Sequence, residues 1–118
     1  MSKQILVIDD DTATLKLLEA FLSAKDLGVL TAEDGIAGLE VMKKMTPDVI
    51  ILDVMMPKMD GYGFLREIRK ESKFRLTPVI VLTAREMMRE IFVQEGIRDF
   101  VTKPYDPEDL YKTISKYL

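Results

Sequence analysis

Acidic residues at the ends of two apolar segments are the part of this sequence best suited to chemistry. Asp9-Asp10-Asp11 directly follows the apolar segment QILVI, and Asp53 directly follows VIIL. A buried carboxylate costs free energy unless a cation or several hydrogen-bond donors hold it. Two carboxylates about 4 Å apart repel each other by roughly 4 kcal/mol at an effective dielectric constant near 20. If these carboxylates lie together, they predict a divalent cation, and oxygen ligands with partial hydration favour Mg²⁺.

Two kinds of segment must position these carboxylates. Uninterrupted apolar runs predict five buried strands, at residues 4–8, 29–32, 49–52, 78–82 and 99–102. Apolar residues at helical spacing predict five helices, over about residues 12–27 before Gly28, after a cap at Asp34, after a cap at Asp60, over about residues 87–95, and from a cap at Asp106 to Leu118. Strands and helices that alternate in this way indicate an α/β fold, a doubly wound parallel sheet with helices on both faces.

The predicted sheet brings the polar residues to one edge. In the strand order 2-1-3-4-5, the first and third strands are neighbours, and ligands bind at the carboxyl ends of the strands. Asp9, Asp10 and Asp53 would then converge in one pocket. Thr83 and Lys103 follow the fourth and fifth strands, and the lysine would offset part of the negative charge.

Composition excludes several classes of function. The 118 residues carry a formal net charge of −3 and contain neither cysteine nor histidine. Histidine-based triads, thiolate nucleophiles, iron–sulfur clusters and the commonest zinc sites are therefore excluded. The acidic balance argues against direct binding of nucleic acid, and no apolar run approaches the roughly 18 residues that span a membrane. We expect one domain over residues 1–118 with no signal peptide.

Four sequence blocks resemble a known family. ILVIDDD, LDVMMPKMDG, VIVLTA and TKP occur in this order over the whole chain, and together they are similar to the receiver domain of bacterial response regulators. The resemblance implies the flavodoxin-like (βα)5 fold and a role in two-component or phosphorelay signalling. Asp53 would accept a phosphoryl group from the phosphohistidine of a partner histidine kinase or a histidine phosphotransfer protein.

The same resemblance implies roles for the surrounding residues. Four groups would hold Mg²⁺: Asp9, Asp10, Asp53 and the backbone carbonyl of Met55. Lys103, in a cis peptide bond with Pro104, would pair with the phosphoryl oxygens, and Thr83 would hydrogen-bond them after transfer. Thr83 and the aromatic Phe100 would form a switch that alters a face made by the fourth helix, the fifth strand and the fifth helix. That face would bind a downstream protein target or a fused output domain. A cytoplasmic location is implied, as is the lack of an independent turnover substrate.

Two features are particular to this sequence. Thr83 and Lys103 are 20 positions apart, a residue or two fewer than is usual in the family. Met55 and Arg85 occupy positions that influence how fast water removes the phosphoryl group in the family. Because an apolar Met55 cannot orient a water molecule, we predict a long-lived phosphoaspartate.

Other interpretations of the same residues remain open at this point. Asp9-Asp10-Asp11 could simply cap the first helix, a role that we assign to Asp11. A flavodoxin-like electron carrier has the same architecture, but three carboxylates in its first loop would repel the flavin phosphate. A haloacid-dehalogenase-type phosphatase also uses an aspartate nucleophile, but Ala13 interrupts its DxDxT motif. The leading alternative is a receiver-like interaction module that is not phosphorylated.

Overall fold

Five parallel strands form one sheet in the computed structural model, which describes residues 3–83 and 89–118. The strands are β1 (Gln4–Ile8), β2 (Gly28–Ala32), β3 (Val49–Asp53), β4 (Val79–Thr83) and β5 (Asp99–Thr102). The helices are α1 (Thr12–Ser23), α2 (Gly35–Lys44), α3 (Gly61–Arg69), α4 (Arg89–Gln94) and α5 (Pro107–Ser115), with a 3₁₀ turn at Ser72–Phe74. The order β2-β1-β3-β4-β5 confirms the predicted doubly wound α/β fold.

Apolar clusters cover both faces of the sheet. Each strand contributes to both clusters, because alternate residues point to opposite faces. Leu6 and Ile8 of β1 belong to a cluster with apolar side chains of α2, α3 and α4. Ile5 and Val7 belong to a second cluster with side chains of α1 and α5. Every residue of β3 and β4 is buried, as their uninterrupted apolar runs predict.

The predicted helix caps are confirmed at the four positions where the sequence carries aspartate before a helix. Each side chain accepts a hydrogen bond from a backbone N–H in the first turn, so the helices begin where short polar residues satisfy their free donors. The caps are Asp11 for α1, Asp34 for α2, Asp60 for α3 and Asp106 for α5.

Several predicted boundaries were wrong. Helix α1 ends at Ser23 rather than near residue 27, and Gly28 begins β2 instead of stopping the helix. The turn is made by Asp26, whose φ of 64° lies in the left-handed region that aspartate tolerates. Strand β4 is displaced by one residue from the predicted range because Pro78 precedes it, and β4 therefore includes Thr83.

The last two helices also differ in extent from the prediction. Helix α4 is described over Arg89–Gln94 and ends one residue before the predicted end, whereas Met87, its predicted start, lies outside the described residues. Helix α5 ends at Ser115, three residues before the predicted end. None of the helices within residues 3–83 and 89–118 has the length and apolar character needed to cross a bilayer.

Candidate functional site

The carboxyl ends of β1 and β3 bring three carboxylates together. Ile8 pairs with Leu52 across the two strands, so Asp9 and Asp53 leave the sheet side by side. Carboxylate oxygens of Asp9, Asp10 and Asp53 all lie within 4.8 Å of one another. Asp9 and Asp53 are buried, whereas Asp10 is exposed. This confirms the predicted convergence, and the set of three oxygen donors fits a hard divalent cation.

Two side chains of the acidic run after β1, those of Asp9 and Asp11, make different hydrogen bonds. One Asp9 oxygen, Oδ1, accepts a hydrogen bond from the backbone N–H of Asp11 at 3.0 Å, which fixes the Asp9 carboxylate at the site. Asp11 instead caps α1 and accepts from the N–H of Ala13 and the hydroxyl of Thr14. These bonds, first that of Thr14 and then that of Ala13, lower the pKa of Asp11.

Lys103 supplies the positive charge of the site. Its Nζ lies 2.8 Å from Asp53 Oδ1 and 3.3 Å from Asp9 Oδ2. Its backbone N–H donates to the carbonyl of Thr83 at 2.9 Å, which anchors the lysine at the end of β5. Burial on its own would lower the pKa of the Lys103 ammonium, but hydrogen bonding to Asp53 and the charges of both carboxylates outweigh burial and raise the pKa.

The pKa of the Asp53 carboxyl group is raised even though Lys103 lies beside it. Burial raises the pKa of its carboxyl group, the hydrogen bond from Lys103 opposes that rise, and the charges of Asp9 and Asp10 add to it. One ammonium group faces three carboxylates, so the site keeps an excess of negative charge. A bound divalent cation would balance that excess.

Gly61 determines where the end of β3 can lie. Its N–H donates to the carbonyl of Val54 at 2.9 Å. A Cβ atom at Gly61 would lie 2.3 Å from the carbonyl oxygen of Asp53 and 3.1 Å from the Cα of Val54. Only glycine allows α3 to begin this close to the Asp53 backbone. The sequence pattern around Gly61 gave no indication of this contact.

Comparison with known proteins identifies the family. The family model described as the response regulator receiver domain matches residues 5–115. The chain belongs to this family. This assignment favours the receiver interpretation over the flavodoxin-like carrier and the phosphatase.

Individual relatives of the receiver domain agree with this assignment. The probable transcriptional regulator ycf27 of Guillardia theta is 40% identical over 118 residues, a match that covers 98% of this chain and 45% of that protein. The chain therefore spans less than half the length of this relative. The chemotaxis protein CheY4 of Vibrio cholerae is 31% identical with a TM-score of 0.93, and the match covers 100% of both chains. A third similar structure is the receiver domain of the sensor histidine kinase PA1611 from Pseudomonas aeruginosa, solved with a magnesium ion in its active site cleft. It is 29% identical to this chain with a TM-score of 0.89, and the match covers 99% of this chain and 98% of that chain.

Thr83 and Phe100, the two residues predicted to form a switch, lie on the neighbouring strands β4 and β5. Thr83 is the last residue of β4, is buried, and pairs with Thr102 of β5. Phe100 pairs with Val81 and is partly buried against the cluster of α3 and α4. The placement is as predicted, whereas a coupled movement of the two side chains stays a prediction.

Arg89 is a contact of the switch that sequence analysis missed. Its guanidinium carbon lies 5.4 Å from the centre of the Phe100 ring, and its Nη2 donates to Thr102 Oγ1 at 2.6 Å. Its Nε is buried and has no hydrogen-bond partner among the described residues. An arginine in a helix carries no sequence signal for such a contact. Arg89 thus contacts both the Phe100 ring and Thr102 of the same strand.

The predictions for Met55, the Lys103–Pro104 peptide bond and Arg85 have different outcomes. Met55 is 72% exposed and lies two residues beyond Asp53, and the role of its carbonyl stays a prediction. The peptide bond between Lys103 and Pro104 is cis, as predicted. Arg85 lies outside the described residues.

Proposed function

We propose that residues 1–118 form one receiver domain, which accepts a phosphoryl group on Asp53 in a Mg²⁺-dependent reaction. The donor is the phosphohistidine of a partner histidine kinase or histidine phosphotransfer protein. The observation that carries the proposal is the environment of Asp53, a buried carboxylate with two further carboxylates within 4.8 Å and the Lys103 ammonium at 2.8 Å. Asp9 belongs to the same cluster, but its contact with Lys103 is longer, at 3.3 Å, and its Oδ1 already accepts the backbone N–H of Asp11.

The chemistry is phosphoryl transfer by positioning and charge neutralisation. One carboxylate oxygen of Asp53 forms a bond to phosphorus while the phosphorus–nitrogen bond of the donor breaks. The bonding electron pair stays on the leaving imidazole, and the product is an acyl phosphate on Asp53. Lys103 is placed to neutralise charge on the phosphoryl oxygens, because its Nζ already lies beside the Asp53 oxygens.

Asp9, Asp10 and Asp53 are the side chains that would hold Mg²⁺, together with the backbone carbonyl of Met55. The three oxygens within 4.8 Å and the excess negative charge at Asp53 fit a hard cation. When bound, Mg²⁺ supplies positive charge to the phosphoryl group and relieves repulsion between the carboxylates. The magnesium ion reported for the PA1611 receiver domain supports this assignment.

The acyl phosphate carries a charge of about −1.5 to −2, which biases the nearby switch. The Thr83 hydroxyl hydrogen-bonds the phosphoryl oxygens, and Phe100 moves inward as Thr83 moves. The contact between Arg89 and the Phe100 ring changes in that step, since the guanidinium carbon lies 5.4 Å from the ring centre in this structure. A coupling free energy of about 1–3 kcal/mol is typical of such switches.

The altered face of α4, β5 and α5 binds a downstream protein target or an output domain of a longer chain. The domain acts in the cytoplasm, does not itself bind nucleic acid or membrane, and has no independent turnover substrate. Its covalent change is the phosphorylation of Asp53 and the loss of that group to water.

Intact-mass measurement after incubation with Mg²⁺ and acetyl phosphate tests the proposal. We expect one added phosphoryl group on the wild-type protein, none on Asp53→Asn, and none on the wild type when the metal is chelated. Asp11→Asn is the matched control, because it removes a carboxylate of the same acidic run that caps α1, and it should still be phosphorylated. A folded, Mg²⁺-bound wild type without an adduct would refute the proposal and favour the unphosphorylated interaction module.

The side chain at Met55 should control how long the phosphoaspartate persists. Met55→Asn or Met55→Glu places a polar group beside Asp53 that can orient a water molecule, so we expect hydrolysis to become about tenfold faster. Met55 is largely exposed, so either substitution should leave the fold intact. The decay of the phosphorylated mass with time measures the rate, and Met55→Leu is the apolar control. Equal rates in all four proteins would contradict the prediction.

A further inference from the structure

A cavity with no part in the phosphoryl site lies at the opposite edge of the sheet, where β4 and β5 begin. Its volume is about 330 Å³, and its walls come from the end of α3, the loop before β4, the residues before β5 and the C-terminal segment. Strands of this length separate the two edges by roughly 15 Å. The cavity therefore shares no residue with the cluster around Asp53.

Three arginines give this cavity an uncompensated positive charge. Arg75 and Arg98 are exposed, and neither forms an ion pair with a carboxylate in the described part of the chain. Arg69 is partly buried, and its Nη1 donates to the carbonyl oxygens of Phe74 and Thr77 at 2.6 and 3.3 Å. These bonds fix one guanidinium in the wall. Burial lowers the pKa of the Arg69 guanidinium, and the charge of Glu95 opposes that effect.

The acidic residue of the lining does not balance these charges. Asp99 is the only carboxylate among the described lining residues, and it binds Lys116 and the hydroxyl of Tyr117. Lys116 therefore already neutralises the charge of Asp99, and Asp99 does not offset the charge of the arginines. The cavity is positive in a chain whose net charge is −3, so its sign is not a consequence of overall composition.

The residues that line the cavity, and its volume, indicate which class of ligand it can bind. Guanidinium groups bind phosphate through paired N–H donors in a geometry that lysine cannot reproduce. Leu76 is 94% exposed and lines the cavity together with Tyr117, so an apolar surface stands beside the arginines. The volume is at the lower end of the range for small-ligand sites, about 300–1,000 Å³.

We propose that this cavity binds a small organic phosphate of the size of a nucleoside monophosphate. Arg69, Arg75 and Arg98 hold the phosphate group, and Leu76 and Tyr117 cover the organic part. The site is separate from the phosphorylation of Asp53, so a ligand can occupy it whether or not Asp53 is modified.

Titration with AMP, followed by amide signals of the ¹⁵N-labelled protein, tests the site. The unphosphorylated protein is used in Mg²⁺-free buffer, so the result does not depend on the function of Asp53. We expect saturable shifts of the Gly96 and Arg98 signals, with weaker binding of inorganic phosphate and of adenosine. The double variant Arg75→Gln/Arg98→Gln should bind AMP at least tenfold more weakly. Both residues are exposed, so the fold should be retained, and the unperturbed spectrum checks this.

The control double variant Lys44→Gln/Lys112→Gln makes the same change in net charge at exposed positions outside the cavity lining. It should bind AMP as the wild type does. Equal weakening in both double variants would mean non-specific attraction and would overturn the proposal. So would the absence of saturable shifts, shifts centred on Asp9 and Lys103, or inorganic phosphate binding as tightly as AMP.

Discussion

Replacing Lys103 with methionine is expected to lower the free energy of unfolding by about 3 kcal/mol in metal-free buffer at neutral pH. The Lys103 ammonium lies 2.8 Å from Asp53 and 3.3 Å from Asp9, and both carboxylates are buried. Removing the cation leaves two buried charges that have lost their partner, and that penalty is larger than the value of the pair itself. Urea denaturation of the variant and the wild type measures the difference.

The pH dependence of this deficit follows from the pKa of Asp53. Burial raises that pKa above its ordinary value of 3.8, and loss of the Lys103 hydrogen bond removes an interaction that opposes the rise. The folded variant therefore takes up a proton at a higher pH than the unfolded chain does. The unfavourable contribution is fully present above the folded-state pKa and is relieved as the pH falls through it. We expect the stability deficit of Lys103→Met to shrink under mildly acidic conditions.

A surface pair on the same protein supplies the control for Lys103→Met. Lys25 lies 3.2 Å from Glu108, whose side chain is 55% exposed, so Lys25→Met leaves no buried charge without a partner and should cost less than about 1 kcal/mol. Mg²⁺ at 100 times its Kd should add about 2.7 kcal/mol to the stability of a protein that binds it only when folded. At one common Mg²⁺ concentration the gain should be larger for Lys103→Met than for the wild type, because no ammonium competes with the ion for the carboxylates and its Kd is therefore lower. Equal losses at Lys103 and Lys25 would contradict the assignment.

The fold could be predicted because its local signals agree with one another. Apolar runs such as 49–52 are buried on both faces, and each predicted aspartate cap lies at the start of its helix. The end of α1 was missed for a physical reason. Leu27 continues the apolar spacing and packs on the core, but Asp26 has already turned the backbone out of the helix. Side-chain burial therefore extends beyond the helical backbone, and periodicity alone cannot separate the two.

The candidate site could be predicted as far as it depends on strand ends. Asp9 and Asp53 meet because neighbouring parallel strands end at the same edge. The stacking of Arg89 on Phe100 and the approach of Gly61 to Asp53 depend on how helices pack against the sheet. Such distances between distant residues leave no pattern in a single sequence.

The substitution Gly61→Ala is expected to lower the free energy of unfolding by about 2–3 kcal/mol and to slow phosphorylation of Asp53. The added Cβ would lie 2.3 Å from the Asp53 carbonyl oxygen, and backbone cannot move aside as a side-chain tip can. Overpacking of this kind is relieved only by shifting the start of α3 or the end of β3. A shift of β3 displaces the Asp53 carboxylate from Asp9 and Lys103, so stability and acceptor function should fall together.

Gly63→Ala, two residues along the same helix, is the matched control. Its Cβ would meet Cγ of Met59 at 3.2 Å and Oδ1 of Asp60 at 3.3 Å, and both atoms belong to side chains that can adjust. Alanine gains up to about 1 kcal/mol over glycine inside a helix, so this variant should stay within about 1 kcal/mol of the wild type and be phosphorylated at the wild-type rate. Denaturation curves and time courses of the phosphorylated mass measure both properties. If Gly61→Ala lost stability but kept the wild-type rate, the contact between α3 and β3 would support the fold without positioning Asp53.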